Sequence, residues 1–241
     1  MDLILFTDNI EEYLKEDDVV NYGNENIKRL ADTLYQGTSD EVEYIKKAYE
    51  YVRDQISHSA DIKEDAITCS ASEVLEAGHG ICFAKSHLLA ALLRYKSIPT
   101  GFCYQKLILD DETAPVLIYH GFNGVYVKEF HKWTRLDARG NKESVNAQFS
   151  LEKEQLAFHV RVEKGEEDGF VIYPDPDVKV LEKFRILNLG ISLKTIDRTG
   201  LNGMHKCVSC PLPVSIVGKK GMHSQFKPCI PFHAPRRLRL R

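Results

Sequence analysis

The sequence predicts an α+β fold in which N-terminal helices and a central buried helix pack on an antiparallel β-sheet. Three observations carry this. Apolar residues recur at three- and four-residue steps through the N-terminal third, Leu88 to Leu93 sits in an Ala/Leu block that is apolar nearly all round, and beyond Pro99 the pattern changes to extended segments. Helices first and strands afterwards is the order of an α+β domain.

The first helix is expected from Glu25 to Tyr35, with Ile27, Leu30, Ala31 and Leu34 on one face. Thr38 and Glu41 have the spacing of a capping box, and after them Val42, Ile45, Tyr49, Val52 and Ile56 mark an amphipathic helix ending near His58. These two helices are expected to pack as a hairpin. Ser70 to Glu76 reads as a short helix stopped by Gly78. The run Gly78-His79-Gly80-Ile81-Cys82 permits a tight turn, and the buried central helix then starts at or next to Cys82 and is closed by Pro99. Extended segments follow at Thr100–Leu109, Val116–Val127 and Trp133–Asp137, with a further candidate at Ala157–Val162. The charge run Glu163–Asp168 reads as a solvated loop.

Composition narrows the function. With 241 residues, 43% hydrophobic and 28% charged, the chain is ordinary globular material, which excludes wholesale disorder, collagen and coiled coil. The longest apolar run falls short of the roughly 18 residues of a membrane span, and Met1 to Asp18 carries acids where a signal peptide is basic, so a soluble, cytoplasmic protein with no membrane partner is expected. Six cysteines are too sparse for a disulfide scaffold, which turns attention to reactive or metal-binding thiols.

The net charge of −3 hides a division. Of 32 Lys/Arg and 35 Asp/Glu, the segment Phe184–Arg241 holds eleven and one, or +10, which leaves −13 on residues 1–183. Folded domain and tail are therefore divided near 183. Tail residues 184–241 include five prolines and an Arg-rich end, the composition of a disordered segment, while Cys207, Cys210, Cys229 and His233 come close to a zinc spacing. A basic arm for nucleic acid is a weaker alternative, because the body is acidic.

A cysteine at a glycine-marked helix start is chemically conspicuous. Free backbone N–H groups and the helix dipole stabilise a thiolate there, and the same groups can stabilise the oxyanion formed when it attacks a carbonyl. Cys82 is such a cysteine. The best base among nine histidines is His120, between the apolar Val116–Tyr119 and the segment Gly121–Val127. Asp137 closes Trp133-Thr134-Arg135-Leu136-Asp137, a plausible neighbouring strand that could set it beside His120. Each residue also has a plainer reading: Cys82 as a small buried side chain, His120 as a satisfied strand histidine, Asp137 as a turn former. His87 reads as structural, His79 as a solvent-facing turn residue, and Cys69 and Cys103 as packing thiols.

Gly80-Ile81-Cys82 opening an Ala/Leu helix, Ile98-Pro99 leading into a strand, His120 before an aromatic-rich strand, and Trp133-x-x-Leu136-Asp137 together resemble the transglutaminase core of the transglutaminase-like superfamily, over about residues 40–140. Tyr51-Val52-Arg53-Asp54 in its acidic helix resembles bacterial members. The resemblance implies a papain-like fold and a catalytic triad in which Cys82 is the thiol nucleophile, His120 the base and later the acid, and Asp137 the group that orients His120. His120-Gly121-Phe122 stands where many members have His-Ala-Trp, and no tryptophan precedes Cys82 to act as an oxyanion donor. His58 and Gln105 are the polar candidates for that role, and Trp133, the only tryptophan, is a candidate substrate contact. The calcium-binding inserts of animal transglutaminases have no counterpart, so neither calcium nor another cofactor is expected. The implied activity is cysteine-dependent acyl transfer on a peptide or amide, with hydrolysis (a protease or amidase) favoured over crosslinking. The rival reading is a catalytically inactive protein-interaction module on the same fold.

Overall fold

The computed structural model describes residues 2–109 and 115–182. In chain order the elements are β1 (Ile4–Leu5), a 3-10 turn at Ile10–Leu14, α1 (Glu25–Tyr35), α2 (Glu41–Gln55), β2 (Ser57–His58), α3 (Ser59–Ile62), α4 (Ala71–Ala77), β3 (His79–Gly80), α5 (Cys82–Tyr95), β4 (Thr100–Leu109), β5 (Val116–Val127), β6 (Lys132–Leu136), β7 (Glu167–Asp168) and β8 (Val171–Ile172). This is the expected α+β order, with an antiparallel sheet β6-β5-β4-β7. Two small parallel pairs join distant parts of the chain, β1 with β8 and β2 with β3.

α5 is the centre of the fold. Every residue from Phe83 to Arg94 is buried, with Leu88, Leu89, Leu92 and Leu93 fully so, and each such leucine contributes about 1.5–3 kcal/mol by leaving water. α1, α2 and α4 pack on it from one side and the sheet from the other, through Phe102, Val125, Val127 and Leu136. The opposite sheet face carries Cys103 and Phe122 beneath Tyr13 and Ile172. No helix among the described residues is long and apolar enough to cross a membrane.

Local signals set several boundaries. Asn24 caps α1, and Ser70 with Glu73 closes a capping box on α4, which stops at Gly78 with φ 72°. Three expectations about helix ends are corrected. α2 is capped by Asp40, whose carboxylate accepts from Glu43 N at 2.8 Å, and not by Thr38. It ends at Gln55 rather than near His58, because Ser57 and His58 leave the helix to pair with His79 and Gly80. α5 stops at Tyr95, before Pro99, where Ser97 adopts φ 58°.

Ala157–Val162 forms no strand: Ala157 N donates to Asp137 and Arg161 N to Glu166, so these amides serve side chains instead of a ladder. In the run Glu163–Asp168, residues 163–165 are exposed as expected, but the remainder is not a solvated loop. Glu166 is 3% exposed, paired with Arg161 and accepting from Ile108 N, and Glu167–Asp168 is the edge strand β7. The expected tail at 184–241, including the zinc alternative, lies outside the described residues.

Candidate active site

α5 begins at Cys82, and its N-cap residue Ile81 offers no side-chain hydrogen bond, so the amides of the first turn are left without a side-chain cap. Cys82 retains part of its surface. β5 passes close to this helix end because it has a glycine there: a Cβ on Gly121 would lie 2.5 Å from Phe83 Cδ1. The bare backbone lets Gly121 N–H reach the Cys82 sulfur. Gly121→Ala is therefore expected to lower the unfolding free energy by about 1–3 kcal/mol in urea; a change below about 0.5 kcal/mol would show the approach is not tight.

His120 precedes that glycine and pairs in register with Gln105 of β4. Pairing between β5 and β6 ends at Asn123 and Leu136, so the β5 edge is open toward Gly121 and His120, and Asp137 follows at the end of β6. His120 Nε2 lies 2.8 Å from Asp137 Oδ2. The carboxylate is itself anchored, accepting from Ala157 N at 2.9 Å and Arg139 N at 3.1 Å. With Nε2 engaged by Asp137, the hydrogen bond between His120 and the Cys82 thiol falls to Nδ1. Phe122, stacked at 5.7 Å between ring centroids, and Phe158, edge-on at 5.0 Å, hold the imidazole.

The electrostatics follow from these contacts. Burial pushes the Cys82 thiol up, but the positive His120, its hydrogen bond, a second one from His58 and that of Gly121 N–H outweigh it and bring the thiol down to about 6. Burial opposes charge on His120 as well, yet Asp137 and the Cys82 thiolate raise it to about 10. Burial likewise pushes the Asp137 carboxyl up, and the His120 charge, its hydrogen bond and the two backbone donors bring it below its ordinary value. Cys103 supplies the contrast: it is fully buried, the cation acting on it is the already paired Arg135, and burial drives its thiol far up. The charged forms of the first pair, a thiolate facing an imidazolium, thus stabilise each other.

Residues 28–138 match the family model of the transglutaminase-like superfamily. This stretch is transglutaminase-like. Members of the superfamily typically carry a Cys-His-Asp triad. Among solved structures, the chain is similar to a proposed cysteine protease from Cytophaga hutchinsonii, at 17% identity over 55% of this chain and 43% of that one, with a TM-score of 0.45. It is also similar to a TGase, at 18% identity over 52% of this chain and 32% of that one, with a TM-score of 0.33. The chain spans less than half the length of either. No curated protein matches.

The remaining candidates of this transglutaminase-like domain separate clearly. His58 is at the thiol, and its Nδ1 is buried with no hydrogen-bond partner among the described residues. Gln105 lies beside His120 but gives its Nε2 to Asp168 at 3.3 Å. Trp133 is not at the site: it packs on Tyr13 and Tyr126, four residues up β6 from Asp137, about 13 Å along the strand. His87 is buried, with Nδ1 2.7 Å from Cys69 O, and burial holds it down to about 4.

His79 corrects its expectation of a solvent-facing turn, being buried in β3 with Nδ1 3.0 Å from Ser59 Oγ. No group of three His, Cys, Asp or Glu among the described residues could hold a metal. Phe158 and the Ala157 amide went unforeseen, since no periodicity marks residues that serve a site from irregular chain.

Proposed function

We propose that this domain is a cysteine-dependent acyl-transfer enzyme that hydrolyses amide or peptide bonds. One observation carries the reading: the Cys82 thiol is hydrogen-bonded to His120, whose other nitrogen is 2.8 Å from the buried, doubly anchored Asp137. The Cys82 thiolate attacks the carbonyl carbon, and the electron pair of the C=O bond moves to oxygen. Uncapped first-turn amides and the His58 ring are the donors suited to that oxyanion. On collapse the C–N bond breaks, and the amine leaves with a proton from the His120 imidazolium, giving a thioester. His120, now neutral, takes a proton from water as the water attacks the thioester. The acid is released and the thiolate restored. Asp137 holds the imidazole in place and stabilises its charge throughout. Water is the acceptor assigned to the thioester, because no second amine site is built beside Cys82 among the described residues.

Cys82→Ala is expected to remove turnover in a screen of peptides and amides by at least about 10³-fold while circular dichroism stays unchanged. It also removes the residue that iodoacetamide labels at pH 7, read residue by residue by peptide mass spectrometry because the chain has other cysteines. Turnover that survives the substitution would refute the reading. Incorporation of an added amine in place of release of the free acid would move the assignment to crosslinking.

A further inference from the structure

Three residues after Cys82, on the same side of α5, Lys85 is the only fully buried lysine among the described residues. Its Nζ donates to the carbonyl of Arg53 at 3.3 Å and to that of Ile56. Both carbonyls belong to the end of α2, where a helix leaves its last acceptors unpaired and its dipole favours a cation. From Ile56 the chain enters β2, and His58 is two residues further on.

The ammonium also abuts the segment leaving β6. A Cβ on Gly140 would lie 3.3 Å from Lys85 Nζ and 3.3 Å from Arg53 O. One buried amine, which burial and the nearby Arg139 bring down to about 7, thus stands where three segments converge: the first turn of α5 with Cys82, the α2–β2 junction with His58, and the chain just after Asp137. The charged groups acting on it are Asp54 from α2, Asp61 from α3, and Asp137 and Arg139 from the exit of β6. The segments are further tied by Arg139, which forks onto Asp61 at 2.5 and 2.9 Å.

We propose that Lys85 is a positioning residue, which holds the α2–β2 junction against the first turn of α5 through the Arg53 and Ile56 carbonyls and so keeps His58 on the Cys82 thiol. This rests on the reading of Cys82 as a thiolate nucleophile. Its neighbours on α5 are otherwise engaged: Phe83, Ala84 and Leu88 have no side-chain donor, Ser86 Oγ donates to Phe83 O, and His87 Nδ1 faces Cys69 O. Replacing the ammonium by an apolar group of the same length strands two buried carbonyls, and the junction must move or take in water to satisfy them.

The test is the pH midpoint of Cys82 alkylation by iodoacetamide in the full chain. Lys85→Met is expected to raise it by half a pH unit or more, whereas Lys142→Met, a surface lysine paired with Asp61, leaves it unmoved. In a His58→Ala background Lys85→Met should add no further shift, because its effect passes through His58. A folded Lys85→Met with the wild-type midpoint, or an equal shift without His58, overturns the proposal.

If Lys85→Met does not fold, the wild-type protein decides. The Lys85 Nζ nitrogen resonance, assigned through its own side-chain carbons, should move when Cys82 is alkylated, and an unmoved resonance overturns the proposal. A wild-type midpoint at the ordinary thiol value would instead defeat the nucleophile reading itself, and this inference with it.

Discussion

Replacing Asp137 with alanine is expected to cost about 3–5 kcal/mol of unfolding free energy at pH 7, because it removes one partner of a buried charge pair. Three donors converge on this carboxylate: His120 Nε2, Ala157 N and Arg139 N. All three become buried N–H groups without an acceptor, and the imidazolium loses the anion that stabilises it. Asp137→Asn keeps the shape but presents an NH2 to one of the three donors, so it should recover only part of the loss.

The pH dependence has a definite sign. The folded-state pKa of Asp137 lies below the ordinary 3.8. Its contribution is therefore present above that ordinary value and is lost as pH falls through the folded-state value. Urea unfolding of wild type and Asp137→Ala should differ most at neutral pH, and the gap should narrow in strong acid. Equal gaps at pH 7 and well below pH 3 would show that the carboxylate's charge is not what stabilises the fold.

His120→Ala is expected to have the largest electrostatic effect in the molecule. In the wild type the pH midpoint of Cys82 alkylation should fall near 6. Without the imidazolium, burial becomes the leading influence, and the midpoint should rise beyond the ordinary 9.0, in the direction Cys103 already takes. The midpoint is the proper readout, because a thiolate of higher pKa is intrinsically more nucleophilic and offsets part of the loss in rate at any single pH. A midpoint that stays near 6 in His120→Ala would show that the first-turn amides and His58 stabilise the thiolate unaided. It would also remove His120 from the proposed role of base. A wild-type midpoint already near 9.0 would favour a non-catalytic interaction module on this fold.

Those elements were legible in the sequence whose causes are local. α1 and α4 run between their own caps, and α5 opens at Cys82, because capping side chains and glycine φ values act within four residues. β4, β5 and β6 follow from runs of strand-forming residues long enough to be half buried. Where two local signals compete, sequence reading loses: Thr38 and Asp40 are both cap residues, and Asp40 holds α2 because its carboxylate reaches Glu43 N. The two-residue strands β1, β2, β3, β7 and β8 carry no periodicity, and each forms only because its partner arrives from elsewhere in the chain.

The same division runs through the candidate site. By itself the sequence determined that a cysteine would open a buried helix, that a histidine would stand within a strand, and that an aspartate would close the next one. These are statements about single positions, made from residues a few places away. Only the tertiary structure decided that His120 and Asp137, 17 residues apart, meet at 2.8 Å. It alone decided that His58 reaches the thiol while Gln105 turns to Asp168 and Trp133 lies up-strand, and that Lys85 is buried where all three segments meet. The physical reason is that contact between distant residues depends on strand register and chain path. A shift of one residue in the pairing of β5 with β6 would turn Asp137 to the other face of the sheet while leaving every local signal intact.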